Sequence, residues 1–427
     1  GPSPRKRVIL DKHVLEEVRA DMAVSVLPSS VGRAPVNVGS AGAGTLSADQ
    51  WRTLCTIHLV ITLGRLWGNL PTPDNRQVLL ENYLDLVTAV RYGTVRRSSL
   101  NRVGAYNFHM LRYIKGLRIL FPDQDLVPNQ HLALHLGEVL ERFGPTHCYW
   151  AFPFERYIRL LRQANINYRN SETETTFFRA FCMANNLKNL LAAKQLPSIV
   201  PDLAELIDCT FVGEVSEDSQ DSDIHAHHSL FSNSSEPSME VEETKTHYLS
   251  EVAYNALLDV IRSDASLRHS TEYRSVHETD PQKMVLNSAA QILSTVQHRG
   301  RRFATYACCP GDSRVLFRSM LAGGGLALGQ IETIFVHRRR SWDGRDHHQT
   351  FAVLRPFTAL SREDQSHDPY RRHHALRTCL VYETPSQAIT VVPMRDIMAQ
   401  FASCPYVDNN GMISRPCIVA VPLDEVR

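Results

Sequence analysis

The sequence predicts an α+β protein: an all-helical N-terminal region followed by a small β-rich, barrel-like C-terminal module. Three observations carry this. Apolar residues recur at helical spacing through residues 51–191 and then at strand spacing through 303–421. An acidic, serine-rich stretch separates the two regimes. The chain has 427 residues, 43% of them hydrophobic and 21% charged. That is ordinary globular composition, and too long for one ordinary domain.

Residues 1–46 read as an N-terminal arm. Gly1-Pro2 resembles the remnant a protease leaves when an expression tag is removed. Val8 to Met22 carries Val8, Leu15, Val18 and Met22 at helical spacing. Pro28 to Gly44 is rich in Pro, Gly, Ser and Ala without period, so loop is expected. Ser47-Ala48-Asp49-Gln50 is a helix start with serine as its cap. Helices are then expected over Trp51–Trp67, Arg76–Tyr92, Asn101–Leu120, Pro128–Phe143, Phe154–Asn165 and Glu172–Leu191, with breaks at Gly68–Pro73, Phe121-Pro122 and Gly144-Pro145. Together they make a helical domain over 47–200. Trp51, Leu54, Ile57, His58, Ile61, Leu66 and Trp67 share the spacing of a core-facing stripe.

Between Phe211 and Glu243 stand nine acids and no Lys or Arg. Such a segment buries too little apolar surface to offset its ordering entropy, so 201–247 is expected to be an acidic linker. Residues 248–298 read as a helical connector, with helices over Tyr248–Ser263 and Gln282–Val296. From 299 to 427 the elements become short and β-branched: Phe303–Ala307, Arg314–Arg318, Ala327–His337, Thr350–Pro356, Arg377–Glu383, Ile389–Pro393 and Cys417–Val421. Gly, Pro and Asp clusters separate them, the pattern of a small barrel or sandwich. Met394–Ala402 reads as one short helix among these strands.

Composition excludes several classes. The longest apolar run, Leu54–Leu70, contains His58 and Arg65 and falls short of the roughly 18 clean apolar residues of a membrane span. No membrane partner is expected. Nine cysteines without a CxxC pair fit neither a zinc ribbon nor a disulfide framework. They suit a reducing compartment, nuclear or cytoplasmic. Gly323-Gly324-Gly325 lacks the GK[ST] of a phosphate-binding loop, and no Ser-His-Asp order is present. Net charge is +1, yet Thr45–Val200 holds 18 Lys and Arg against 11 Asp and Glu.

Within that basic region, Arg91, Arg96, Arg97 and Arg102 cluster where two helices meet, with Ser98, Ser99 and Asn101 interleaved. With Arg112, Lys115 and Arg118 they form a candidate phosphate-contact stripe, because cations and small donors at this density are what a nucleic-acid backbone requires. The competing reading is an ordinary solvated face. His131 and His135 stand four apart on one helix, with His147 and Cys148 after a Gly-Pro turn. That is a loose zinc-ligand pattern, equally read as packed, hydrogen-bonded histidines. Zinc is not expected. Arg338-Arg339-Arg340 beside Trp342 is a second candidate contact for DNA or for an acidic segment.

Four strings, ADQWRTLCTIHL (48–59), YLDLVTAVRYGTVRRSSL (83–100), PNQHLALHLGEVLERFGPTH (128–147) and FPFERYIRLLR (152–162), resemble the region that follows the catalytic core in transposases of CACTA-type elements. The likeness is to fungal Plavaka-like and plant En/Spm-like members. GQIETIF, DPYRR and CIVAVPLD resemble the tail of the same fungal proteins. The resemblance implies a DNA partner, an RNase H-like catalytic core that this helical region would pack beside or complete, and three carboxylates holding two Mg²⁺ ions in an intact member. It places Glu155 where the third carboxylate would return. Arg159 and Arg162 lie at i+4 and i+7 on the same helix face, suited to holding phosphates. Without the family, Glu155 and Arg159 read as a surface ion pair. The two earlier acids of the family lie upstream of the region resembled. The chain is therefore expected to be the C-terminal part of a transposase, with the missing core as a partner and no autonomous activity. Two alternatives are a domesticated, catalytically inactive DNA- or chromatin-binding protein and a recruited small-molecule enzyme without recognisable motif.

Overall fold

A computed structural model describes residues 9–40, 42, 44–70, 74–151, 154–155, 158, 173–192, 246–263, 273–319, 325–340, 344, 346–408 and 411–423. Helix α1 (Lys12–Val24) starts at Asp11, whose side chain accepts from the Val14 amide. Helix α2 (Ala48–Thr53) opens with the expected capping box, Ser47 and Gln50 exchanging side-chain and backbone hydrogen bonds. It runs through a π-helical turn, Leu54–His58, into α3 (Leu59–Trp67). Helix α4 (Asn75–Gly93) is capped by Asp74 and α5 (Leu100–Leu120) by Ser99. Helix α6 (Pro128–Phe143) has proline at its first position and stops at Gly144, whose φ of 79° favours glycine. Helix α7 covers Thr173–Ala192. Each matches an expected helix. Of the helix expected over Phe154–Asn165, only residues 154, 155 and 158 are described, all helical. The acidic stretch lies outside the described residues.

Helices α4, α5 and α6 pack around Ala89, Val103, Tyr106, Met110, Ile114 and Leu140. Helices α1, α3 and α4 share a second core around Val18, Leu63, Trp67, Leu84 and Val87. Trp51 departs from the expected stripe: it is 51% exposed, because the π turn after Thr53 rotates α2 relative to α3.

The second half is mostly strand. After β1 (Thr246–Tyr248) comes one helix, α8 (Glu251–Ser263), then β2 (Tyr273–Arg274), β3 (Met284–Val285), β4 (Ala289–Leu293), β5 (Thr295–His298) and β6 (Arg301–Ala304). The helix expected over Gln282–Val296 is thus three strands. Ala290 to Leu293 pair with Ile334 to His337, and this pairing overrides the helical propensity of Ala, Gln and Leu. The remaining strands are β7 (Arg314–Arg318), β8 (Leu326–Arg340), β9 (Asp346–Ala359), β10 (Cys379–Pro385), β11 (Thr390–Pro393), β12 (Ile397–Tyr406) and β13 (Cys417–Pro422). The helix expected over Met394–Ala402 is a single 3₁₀ turn, Met394–Asp396, followed by β12. Eight consecutive buried residues in β12 erase the alternation that marks a strand.

Antiparallel pairing runs β8–β7–β12–β13–β10–β9 and returns to β8, closing a six-stranded barrel. Beyond it β8 and β9 project as a ribbon extended by β4, β1 and β11. Each barrel strand sends residues to one internal core: Leu316, Leu328, Phe357, Val381, Phe401, Ile418 and Ala420. Their alternates Leu380, Ala402, Cys404, Val419 and Val421 point outward and pack against Ile57, Ile61 and Tyr370. The helical and barrel parts therefore share a core. The stretch read as an arm is pinned to that barrel. Val26 bridges Ser403, Leu27 joins the shared core, and Ser29 donates from both its amide and its hydroxyl to buried Asp312.

Candidate nucleic-acid interface

The junction of α4 and α5 is shaped by packing. Gly93 ends α4 where a Cβ would sit 3.0 Å from the Tyr106 ring. Residues 94–99 then turn the chain, and the Ser99 hydroxyl accepts from the Arg102 amide to start α5. This turn carries Arg96 and Arg97 and faces the barrel mouth. Opposite stand Leu316 of β7, Arg377, and Pro422 and Leu423 at the end of β13.

Two adjoining cavities lie in the cleft, of about 80 Å³ and about 250 Å³, sharing Arg91, Arg96, Pro422 and Leu423 as walls. The smaller is lined by Arg52, Arg96 and Arg301 with Ser30, Thr56 and His147, and holds one acid, Asp49. The larger is lined by Arg97, Arg102 and Arg377 at its polar side and by Tyr92, Val95, Ala105 and Leu316 elsewhere, with no acid among its described lining residues. Among the described lining residues seven arginines converge with one carboxylate. A cleft walled by low-dielectric protein and lined by one sign of charge focuses its field on an anion.

The four arginines expected to group do so, with distinct roles. Arg91 donates to the backbone carbonyls of Leu376, at 2.6 Å, and Pro422, joining the helical part to the barrel. It thus braces the two parts of the fold as well as lining the cleft. Arg96 is half-buried between the cavities and Arg97 is exposed. Arg102 donates to the Arg97 carbonyl at 2.9 Å and so fixes the turn. Arg112 pairs with Asp85 at 3.3 Å and lies over the Phe108 ring at 5.5 Å, so its charge is partly answered within the protein. Lys115 is exposed one turn further along α5. Neither lines the cleft.

Arg52, Arg301 and Arg377 were not legible as site residues, because each is remote in sequence from the α4–α5 turn. Arg301 follows Arg299-Gly300, a two-residue hairpin turn with both φ values positive, at 53° and 74°. Arg377 closes a 3₁₀ turn, His374–Leu376, in the left-handed region at φ 53°. That position ordinarily holds glycine, and arginine there costs on the order of 1 kcal/mol.

The remaining candidates do not join the cleft as one group. His131 and His135 form an exposed pair on α6 with Nε2 atoms 3.4 Å apart. His147 sits elsewhere. Its Nε2 donates to the Thr94 carbonyl at 2.8 Å, and its ring meets Trp150 edge-on at 3.9 Å between centroids. Among the described residues no three His, Cys, Asp or Glu side chains come together as metal ligands, so the His131–His135–His147 zinc pattern is not assembled. Gly144 and the 3₁₀ turn Thr146–Cys148 carry His147 back toward α4 rather than along α6. Glu155 is exposed on a helical turn, its amide donating to the Ala151 carbonyl at 3.0 Å. Arg159 and Arg162 lie outside the described residues. Arg338 and Arg340 are exposed at the end of β8. Arg339 is buried and donates to Gln349, so that run does not present three arginines to solvent. Trp342 is outside the described residues.

No protein-family model, curated protein or solved structure matches the chain. Among the described residues no helix is long and apolar enough to cross a membrane.

Proposed function

We propose that this chain is the DNA-handling part of a CACTA-type transposase, gripping duplex DNA by its phosphates in the arginine-lined cleft. The observation that carries the reading is the convergence of Arg52, Arg96, Arg97, Arg102, Arg301 and Arg377 from four separate segments on one cleft, where Asp49 is the one acid among the described lining residues. A cleft that gathers cations from separate segments lowers the energy of an anion placed among them. The four sequence strings supply the family, and the string YGTVRRSSL is the one that forms the cleft's helical wall.

In this reading the catalytic core is a partner that packs on the helical part. The large apolar side chains left exposed on α5 and α6 suit that role: Phe108, Ile119, Leu132 and Phe143 are 56%, 79%, 62% and 68% exposed. Glu155 would then be lent to that core as one of the carboxylates that hold Mg²⁺, which would activate the attacking water. The protein by itself would bind DNA without cutting it.

The test is duplex binding as a function of salt. Affinity is expected to fall with a log–log slope of about −0.9 per phosphate neutralised. Binding that is absent at low salt, or insensitive to salt, contradicts the proposal. Mg²⁺-dependent nicking by the isolated chain that vanishes in Glu155→Gln would show that the chain completes a catalytic site unaided.

A further inference from the structure

The cleft is not uniform, and the difference between its two compartments points to a more specific ligand than a duplex backbone. The smaller compartment is polar: guanidinium, hydroxyl and imidazole groups converge there, the donor set that holds a phosphate. The larger is mixed, with apolar and aromatic surface beside its arginines. Tyr92, Val95 and Ala105 stand on the helical side and Leu316, Ala375 and Pro422 on the barrel side, beside Asn101 and five arginines. Ridges of phosphate alone need no such apolar chamber. A base removed from its stack does, since it requires apolar or aromatic faces to lie against and a few polar groups at its edge.

Three features fit this use. The compartments adjoin and share Arg96, so one nucleotide can span them, base in one and phosphate in the other. Tyr92 is held in position by the His109 ring, parallel within 11° at 6.4 Å, and His109 is itself fixed by Asp85 at 2.8 Å. Arg377 occupies a left-handed position that favours glycine, and conformational strain at the mouth of a cavity marks a site where side-chain identity matters more than backbone comfort.

We infer that the cleft is a nucleotide slot: an unpaired nucleotide of a DNA strand enters the compartment between Tyr92–Ala105 and Leu316–Pro422 while its phosphate lies against Arg96, Arg52 and Arg301. The inference rests on the DNA-binding reading above and names the part of the DNA that this site takes.

The experiment compares the full chain's binding, by fluorescence anisotropy, to a blunt duplex and to the same duplex carrying a short unpaired tail of either polarity. The tailed DNA is expected to bind about tenfold tighter, the contribution of roughly one stacked base. Ala105→Phe and, separately, Val95→Phe fill the chamber from the half-buried helical side. Each is expected to abolish the preference for tailed over blunt DNA, with thermal melting confirming that each variant folds. A 2-aminopurine in the tail is expected to change its emission on binding the unmodified protein, which tests the slot without any variant. Equal affinity for blunt and tailed DNA, with no change in 2-aminopurine emission, overturns the slot while leaving the duplex-binding face intact. Failure to bind either DNA overturns both. A tail preference that survives in both folded variants overturns the location.

Discussion

Arg91 and Pro422 are joined across the boundary between helices and barrel: the guanidinium on the last turn of α4 donates to the carbonyl that ends β13, and also to the carbonyl of Leu376. The side wall of the cleft is thus a structural brace. A helix C-terminus favours a cation, and here that cation also satisfies the Leu376 and Pro422 carbonyls.

Arg91→Ala is expected to lower stability by about 2–4 kcal/mol, since each hydrogen bond to a charged group contributes roughly 1.5–3 kcal/mol and the carbonyls lose their donors. Chemical denaturation measures it. A variant of unchanged stability that only weakens DNA binding would return Arg91 to the ligand-contact role read from the sequence.

A second brace lies on the opposite side of α3. Arg65 reaches both Asp21 and Glu17 of α1 at 2.8 Å, and Asp21 also accepts from the Thr62 hydroxyl at 2.8 Å. The side chains of Arg65 and Asp21 are 4% and 7% exposed. Asp21→Ala strands the guanidinium in a buried site and is expected to cost about 3–5 kcal/mol. Denaturant titration of the variant checks this, and a loss below about 1 kcal/mol would mean that water reaches Arg65.

Close packing makes Gly64 a third point of sensitivity. A Cβ there would stand 2.2 Å from the Tyr370 ring, and Tyr370 is held by donation to the Ile61 carbonyl at 2.6 Å. Gly64→Ala is expected to be destabilising by about 1–3 kcal/mol, against the usual gain from replacing a helical glycine. A stabilised variant would show that the loop at Tyr370 yields.

His58 supplies a pH dependence. Burial, with Arg33 nearby, lowers its pKa from 6.5 to about 4. The unfolded chain takes up a proton near pH 6.5 while the native protein resists until about pH 4, so between these values the unfolded state binds more protons. Stability is therefore expected to fall as pH drops from 6.5 to 4, and His58→Gln should lessen that fall. Melting temperatures across this window measure the effect, and an identical pH profile in the variant would show that His58 is not its source.

The helical half was legible because its signals are local. Ser47, Asp74 and Ser99 cap helices, Gly144 ends one, and apolar spacing fills the rest. The strands from Arg314 onward were legible where β-branched residues cluster between turn signals, as in Cys417–Pro422. They were not legible at β4, whose Ala, Gln and Leu favour helix until β8 is beside them, or at β12, whose Met, Ala and Gln do the same and whose two-face burial removes the alternation. The site divides similarly. Arg96, Arg97 and Arg102 stand within seven residues and could be read together. Arg52, Arg301 and Arg377 reach the same cleft only through the closing of the barrel against the helices, which no local pattern encodes. Arg91 was visible as a cation, but its bond to Pro422 depends on a contact 331 residues away.

The account stands on Arg96 and Arg97 being phosphate contacts, and the most direct measurement is the salt dependence of duplex binding for Arg96→Ala/Arg97→Ala beside the unmodified chain. The double variant is expected to bind every duplex sequence more weakly and to flatten the log–log slope by about two, one for each phosphate contact removed. A folded double variant whose affinity and slope match those of the unmodified chain would contradict the account, and would show that the arginine-lined cleft is not where DNA binds.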